Sequence, residues 1–316
     1  MSTKITVIGA GSVGAAITND IMVQGIASEV VLIDINKEKA IGEALDIYQG
    51  APFCSPAIIR AGDYEDAAGS QIVIITSGVP RKPGQTRLEL AQTNVNILKQ
   101  ITPQIVKYAP DAIYILVSNP VDILTYVFTK ISGIPENRIL GSGTVLDTSR
   151  LQSELAKRFC ISPKNVHAHV YGEHGDSSFV PWSLATIANN KIDNYKGSVS
   201  LSRRIRWDAD APAAVEDFVK KSGAQVIKCK GATFYAVAIS VCHICKCILN
   251  GSGTALTVST MMHGEYGVND VCLSTLALVG SDGVHTKIIS PLTPEENAKM
   301  QLSAQKLREI IDGLEI

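Results

Sequence analysis

The sequence predicts an α/β protein, with a doubly wound parallel sheet in its N-terminal half and an α+β arrangement in its C-terminal half. Three observations point there. Short apolar runs rich in β-branched residues recur through the first 140 or so residues: ITVIG (5–9), VVLID (30–34), QIVIIT (71–76) and AIYILV (112–117). Their continuity suits strands covered on both faces. Between them lie stretches with helical spacing, 12–26 and 88–108, the second carrying Leu88, Ala91, Val95, Leu98, Ile101 and Ile105. Strand and helix in strict alternation make βαβ units.

The third observation is that this alternation stops near residue 141, which divides the chain into 1–141 and 142–316. A helix near 147–160 is followed by strand-like VHAHVYG (166–172), a long helical stretch over about 206–250, and strand-like pieces at 253–261 and 271–279. The last helix is signalled at its start by Thr293-Pro294-Glu295-Glu296, a capping box with Pro in the first helical position. Met300, Ala304, Leu307, Ile311 and Leu314 then line one face.

Composition excludes several classes. The chain has 316 residues, of which 46% are hydrophobic and 19% charged, enough for two lobes with buried cores. Lys and Arg number 29 against 30 Asp and Glu, a balance that gives no footprint for nucleic acid or an anionic membrane. The longest apolar run, Ala232–Cys245, is too short to span a bilayer. Seven cysteines, an odd number, and an N-terminus without a readable signal peptide lead to the expectation of reduced thiols and a cytoplasmic protein. Cys242-His243-Ile244-Cys245-Lys246-Cys247 lacks a second Cys pair, so it reads as buried thiols on an apolar helix, and no metal is expected. Arg203-Arg204-Ile205-Arg206, followed by Asp208 and Asp210, reads as a solvated face.

Gly9-Ala10-Gly11-Ser12-Val13-Gly14 fits G-x-G-x-x-G between a strand and a helix. Gly9 permits the turn, Gly11 lets the backbone approach a pyrophosphate, and Gly14 lets the helix pack on the strand. Asp34, 20 residues beyond Gly14, ends the next strand, where a carboxylate accepts from ribose hydroxyls and repels a 2′-phosphate. The combination predicts a Rossmann lobe binding NAD rather than NADP, although Asp34 could also cap the following helix. Three further segments carry polar chemistry. Gly78–Arg87, with two prolines, two glycines and three cations, reads as a mobile lid over an anion or as an ordinary basic loop. Asp147 and Arg150 lie three apart at a helix start, on one face, whether for a ligand or for each other. His174 stands at a strand end in GEHGDS.

These motifs, GAGSVG, KPGQTRLEL, VSNPVD (117–122), GSGTVLDTSR, GEHGDS and KGATFYA (230–236), occur in an order that resembles the NAD-dependent L-lactate/malate dehydrogenases, above all the bacterial lactate enzymes. The resemblance covers nearly the whole chain. It implies a C-terminal catalytic domain, a 2-hydroxy or 2-oxo acid substrate, NAD as cofactor and a homo-oligomer, tetramer or dimer. It implies that His174 exchanges a proton with the substrate, that Asp147 holds its other ring nitrogen, and that Arg150 clamps the substrate carboxylate through two parallel hydrogen bonds. It further implies that Arg87 polarises the carbonyl and that Asn119 touches both the carbonyl and the nicotinamide side, with Thr233 also at the substrate. The implied cofactor-binding set is Gly9, Gly11, Val13, Gly14, Asp34, Gly78, Val117 and Asn119.

Two positions depart from the lactate pattern. Arg81, six before Arg87, stands where lactate enzymes commonly carry Gln and malate enzymes Arg. An Arg there could pair with the second carboxylate of oxaloacetate. Leu88-Glu89-Leu90 and Lys230–Thr233 resemble the lactate enzymes, so lactate is the leading expectation and malate the alternative. Gln152 replaces the Arg that, with a histidine at the place of His167, binds fructose 1,6-bisphosphate in many bacterial relatives, so activation by that sugar is not expected. A protein that senses NADH without turnover would be the non-enzymatic alternative, but it would have no use for His174, Asp147, Arg87 and Arg150 together.

Overall fold

The computed structural model describes residues 3–80, 84–195 and 207–316; Arg81 and the Arg203–Arg206 run fall outside them. The chain begins with β1 (Lys4–Ile8), α1 (Ser12–Val23), β2 (Glu29–Ile33), α2 (Lys37–Tyr48), β3 (Ile58–Ala61), β4 (Ile72–Ile75), α3 (Arg87–Tyr108), β5 (Ile113–Leu116), α4 (Val121–Ile131) and β6 (Ile139–Gly141). The six strands are parallel and lie side by side as β3-β2-β1-β4-β5-β6, the doubly wound order. The apolar runs are continuous because successive side chains leave a strand on opposite faces and both faces are covered. Val73 and Ile75 enter one core with Leu98 and Ile105 of α3, while Ile72 and Ile74 enter the other with Ile17 and Ile21 of α1.

Two strands carry weaker sequence signals. β3 is an edge strand whose Arg60 pairs with Glu29 at 3.1 Å and Asp66 at 2.8 Å, and β6 has only three residues. In α3, Ala91, Val95, Leu98, Ile101 and Ile105 are buried as their spacing predicts, but Leu88, in the first turn, is 42% exposed.

The second half contains α5 (Val145–Phe159), β7 (Val166–His167), β8 (Thr186–Ile187), β9 (Asn190–Lys191), α6 (Ala211–Lys230), α7 (Tyr235–Leu249), β10 (Thr254–Leu256), β11 (Ser259–His263), β12 (Asn269–Ser274), β13 (Ala277–Gly280), β14 (Gly283–Lys287) and α8 (Pro294–Ile311). β11 and β12 join the first sheet antiparallel beyond β6, through Ser259 opposite Gly141, so the sheet has eight strands and continues past residue 141. Two three-stranded sheets, β7-β8-β9 and β10-β13-β14, complete the half.

The expected long helix is two helices. It breaks at Gly231, whose φ of +87° lies where glycine is favoured. Of VHAHVYG only Val166–His167 is regular strand; Tyr171 and Gly172 make single bridges to Phe179 and Ser274. α8 starts as its capping box predicts, with Thr293 and Glu296 exchanging backbone bonds, and its face Met300, Ala304, Leu307 and Ile311 is buried. Among the described residues no helix is long and apolar enough to cross a membrane. Cys242, Cys245 and Cys247 are buried on α7.

Candidate active site

The glycine loop meets the sheet as its spacing requires. Gly9 has φ +109°, and a Cβ on it would lie 2.6 Å from Thr76 Oγ1 and 2.9 Å from the Ser77 nitrogen. A Cβ on Gly14 would lie 1.8 Å from the Gly9 carbonyl oxygen, so α1 packs onto the turn only because that atom is missing. A Cβ on Gly11 would meet nothing within 4 Å. That open approach lies at the start of α1, which has no side-chain cap and no acidic residue in its first turn, a setting that favours an anion. At the end of β2, Asp34 accepts from the Ala10 N–H at 2.6 Å and the Asn36 N–H at 2.8 Å. The cap of α2 is Asn36, which accepts from Lys39 N–H, so Asp34 is not the cap. These residues fit a dinucleotide: open backbone for the pyrophosphate and a carboxylate at the neighbouring strand end.

Two polar side chains that sequence reasoning passed over organise the strand ends beside this loop. Thr76 donates to the carbonyl of Gly9 at 3.0 Å. Buried Asn94 of α3 accepts from Val79 N–H at 2.8 Å and donates to the Asn119 carbonyl at 2.7 Å, tying the loop after β4 to the one after β5. Gly78 lies against the same Asn94, and Val117 is buried. The signal for Asn94 was an amide on the apolar face of α3, next to Val95.

The chemical end is assembled from α5 and the GEHGDS loop. Asp147 lies in the first turn of α5 and is 6% exposed. Its Oδ2 is 2.5 Å from His174 Nδ1, and its Oδ1 accepts from Arg150 Nη1 at 2.9 Å. The spacing of three on a helix thus yields an ion pair, and the histidine joins it from 27 residues away. Arg150 is held under α6, where a Cβ on Gly223 would come 3.4 Å from its guanidinium; nothing in the sequence marked that glycine.

Electrostatics follow from this geometry. The Asp147 charge raises His174 from 6.5 to about 9, against the opposing effect of burial. Burial alone would push Asp147 up, but the His174 imidazolium and then the Arg150 guanidinium outweigh it and hold Asp147 below the usual carboxylate range.

Arg87 stands at the first position of α3, after the Thr86–Glu89 capping box. Its guanidinium pairs with Asp176 and lies 3.7 Å from Glu173, both in the GEHGDS loop. The structure therefore brings His174, Asp147 and Arg150 together and sets Arg87 against the same loop. Asn119, exposed after β5, and Thr233, half-buried between α6 and α7, make no hydrogen bond to His174 among the described residues. Gln152 donates to the Ala168 carbonyl at 3.2 Å, and His167 is exposed on β7.

Two family models match the chain, the NAD-binding domain of lactate/malate dehydrogenases over residues 3–141 and the α/β C-terminal domain of the same enzymes over residues 144–315. The chain belongs to the lactate/malate dehydrogenase family. Its cofactor is accordingly NAD, and its chemistry is oxidoreduction at the carbinol of a 2-hydroxy acid. It is 46% identical to L-lactate dehydrogenase 1 of Clostridium acetobutylicum over 313 residues, 99% of each chain. It is 47% identical to an L-lactate dehydrogenase of Clostridium botulinum over 312 residues, 99% of this chain and 97% of that one. Among solved structures it resembles the minor L-lactate dehydrogenase of Enterococcus mundtii in its ligand-bound form, with a TM-score of 0.94 and 37% identity over 100% of this chain and 99% of that one. It also resembles a lactate dehydrogenase from a Medee basin deep-sea metagenome library, with a TM-score of 0.93 and 36% identity over 99% of each chain.

Proposed function

We propose that this member of the family is an L-lactate dehydrogenase, interconverting L-lactate plus NAD+ with pyruvate, NADH and a proton. The observation that carries the reading is the chain Arg150–Asp147–His174, with contacts of 2.9 and 2.5 Å, which sets a guanidinium beside a proton donor. Gly9, Gly11, Val13, Gly14, Asp34, Gly78, Val117 and Asn119 hold the cofactor. Bound NAD supplies or accepts the hydride at the substrate carbon.

In the reductive direction His174 enters as imidazolium and gives the proton on its outer nitrogen to the substrate oxygen; in oxidation the neutral ring takes it back. Asp147 keeps the Nδ1 proton in place and balances the imidazolium charge, as a triad carboxylate does. Arg150 keeps one edge of its guanidinium on Asp147 and turns its remaining donors to the substrate carboxylate. Arg87 exchanges Asp176 and Glu173 for the substrate oxygen, where a donor to developing negative charge contributes about 10²–10³ in rate. Asn119 and Thr233 complete the substrate contacts.

Pyruvate is favoured over oxaloacetate because the relatives named above are lactate dehydrogenases, and the segments after Arg87 and around Thr233 resemble the lactate type. Arg81 supports the malate alternative, since its charge suits a second carboxylate. The comparison of kcat/KM for pyruvate and oxaloacetate, before and after Arg81→Gln, decides between them. Pyruvate is expected to be the better substrate, and the variant is expected to lose oxaloacetate turnover while keeping pyruvate turnover. Preference for oxaloacetate in the unmodified protein overturns the reading, and NADH binding with no turnover of either acid makes the protein a sensor.

We also infer a homo-oligomer in the cytoplasm. Exposed Ile41, Leu45 and Tyr48 recur at helical spacing along α2, and Tyr235 and Ile239 are exposed on α7, which supports burial against another copy. Buried thiols at Cys242, Cys245, Cys247 and Cys272 suit a reducing compartment.

A further inference from the structure

The three backbone N–H groups leading into the histidine are each held by a different element. Gly172 donates to the Ser274 carbonyl of β12 at 3.0 Å, Glu173 to Ser303 Oγ of α8 at 2.7 Å, and His174 to Asp122 Oδ2 of α4 at 2.7 Å. The first two acceptors belong to the C-terminal half. Asp122 comes from the other half, three residues after Asn119 in the segment that runs from β5 into α4.

Asp122 is also an expensive residue. It is 2% exposed, in a helix whose neighbours Val121, Ile123 and Leu124 are core, and burial pushes its carboxyl up to about 6. An asparagine oxygen could accept the same N–H bond without the desolvation cost of a buried charge. The bond alone therefore does not account for an acid at this position. The cation-forming group that it faces is the His174 ring.

We propose that Asp122 is a positioning residue of the catalytic site, pinning the His174 backbone to the Val117–Asn119 segment so that proton donor and nicotinamide side keep a fixed relation. The inference rests on the reading of His174 as the proton donor. The bond spans 52 residues of sequence and joins the halves at the one backbone nitrogen that bears the catalytic ring. Ser303 ties the loop to α8 and Ser274 ties it to β12 at the edge of the shared sheet, while Asp122 adds a tie to α4, directly after the Val117–Asn119 segment. The charge of Asp122 has a second effect, adding to that of Asp147 in favouring the imidazolium.

The groups facing His174 are Asp147 and Arg150 from α5 and Asp122 from α4, with Glu173 next to it in the chain. Those facing Asp122 are the Ser259 hydroxyl of β11, His174, Glu173 and the Cys272 thiol of β12. Neutralising Asp122 leaves the bonds of His174 and Arg150 to Asp147 in place.

The test is Asp122→Asn in the full-length protein, read three ways: the titration of the His174 ring by NMR of histidine-labelled protein, NADH binding by fluorescence, and kcat and KM for pyruvate. The expected result is a His174 midpoint lowered by half a pH unit or more, about threefold or more in proton affinity. NADH affinity and, near pH 7.5, kcat should stay within about twofold in this variant, because the amide oxygen still accepts the His174 N–H and the ring stays mostly protonated. Asp122→Ala, which removes the acceptor, should lose about tenfold or more in kcat with KM changed less, the mark of lost alignment at the reacting centre.

An unchanged His174 midpoint in Asp122→Asn, or an unchanged kcat in Asp122→Ala, overturns the proposal. So does a loss of kcat matched by an equal loss of NADH binding, which would make Asp122 a purely structural residue. The ring titration needs no substrate, so it judges Asp122 even where wild-type protein fails to consume NADH with pyruvate, a result that would instead remove the lactate reading.

Discussion

Asp147→Asn keeps the shape of the side chain and removes one charge from between His174 and Arg150. In the intact site that charge lifts His174 from 6.5 to about 9 although burial opposes it. The interval corresponds to about 3 kcal/mol of preference for the imidazolium, at about 1.4 kcal/mol per pH unit. With the charge gone, burial and the Arg150 cation act downward against the remaining Asp122 charge, and the midpoint falls toward 6.5. At about pH 7.5 a ring with a midpoint near 6.5 is about one-tenth protonated, against almost wholly protonated in the intact site, which alone costs up to about tenfold in pyruvate reduction. Loss of the orienting carboxylate adds to this, and a total of about 10²–10⁴ is expected by analogy with triad aspartates.

The assay is kcat/KM for pyruvate from acid to alkaline pH. The alkaline limb should sit near 9 in the unmodified protein and move down by about two pH units in the variant, with part of the activity recovered in acid. Stability carries the same sign. A histidine with a raised folded-state pKa contributes stability that is fully present below 6.5 and is lost as pH rises through about 9. The variant should lack that decline in Tm. An alkaline limb that stays near 9 in Asp147→Asn would refute the reasoning, because Asp147 would then not be what holds the proton on His174.

The remaining predictions concern the two ends of the site. Arg150→Lys keeps the charge but loses the planar fork, and KM for pyruvate should rise at least about tenfold with NADH affinity unchanged in a fluorescence titration. Gly14→Ala places a methyl 1.8 Å from the Gly9 carbonyl oxygen, so α1 must move off β1; a loss of about 2 kcal/mol or more in denaturant unfolding and loss of NADH binding should follow. Gly11→Ala meets no protein atom within 4 Å and should leave Tm unchanged, yet raise the Kd for NADH about tenfold or more, because the methyl occupies the approach of the pyrophosphate.

The sequence makes the parallel sheet legible because its strands are buried on both faces and their apolar runs have no gaps. Ile72–Ile75 serves two cores at once, and only a strand inside a covered sheet does that. It is less explicit where a strand is an edge, as in β3 with Arg60, or only three residues long, as in β6. The break between α6 and α7 is foreshadowed by Gly231 but hidden by the apolar residues on either side. The extension of the sheet by β11 and β12 is a long-range pairing, Ser259 beside Gly141, that local pattern does not encode.

At the site, Asp147 and Arg150 are joined by helical periodicity and so are readable as a pair. That His174 completes the pair is a matter of tertiary structure, and the family resemblance supplied it. Asn94, Asp122 and Ser303 escaped notice for a common reason. Each is a small polar residue on a mostly buried helix face, and its partner is a backbone group far away in sequence. A buried acid in the apolar VDILTYVF run is a signal of cost without an evident return, and the return is visible only once the loop carrying His174 lies beside it.

The most direct measurement is NADH consumption with pyruvate by the protein and by His174→Asn, with NADH binding measured on both. Rapid consumption by the unmodified protein and a loss of at least about 10³-fold in the variant are expected, with NADH bound equally by both. A variant that binds NADH and retains most of its turnover would contradict this, because the proton would then come from somewhere other than the ring that Asp147 holds.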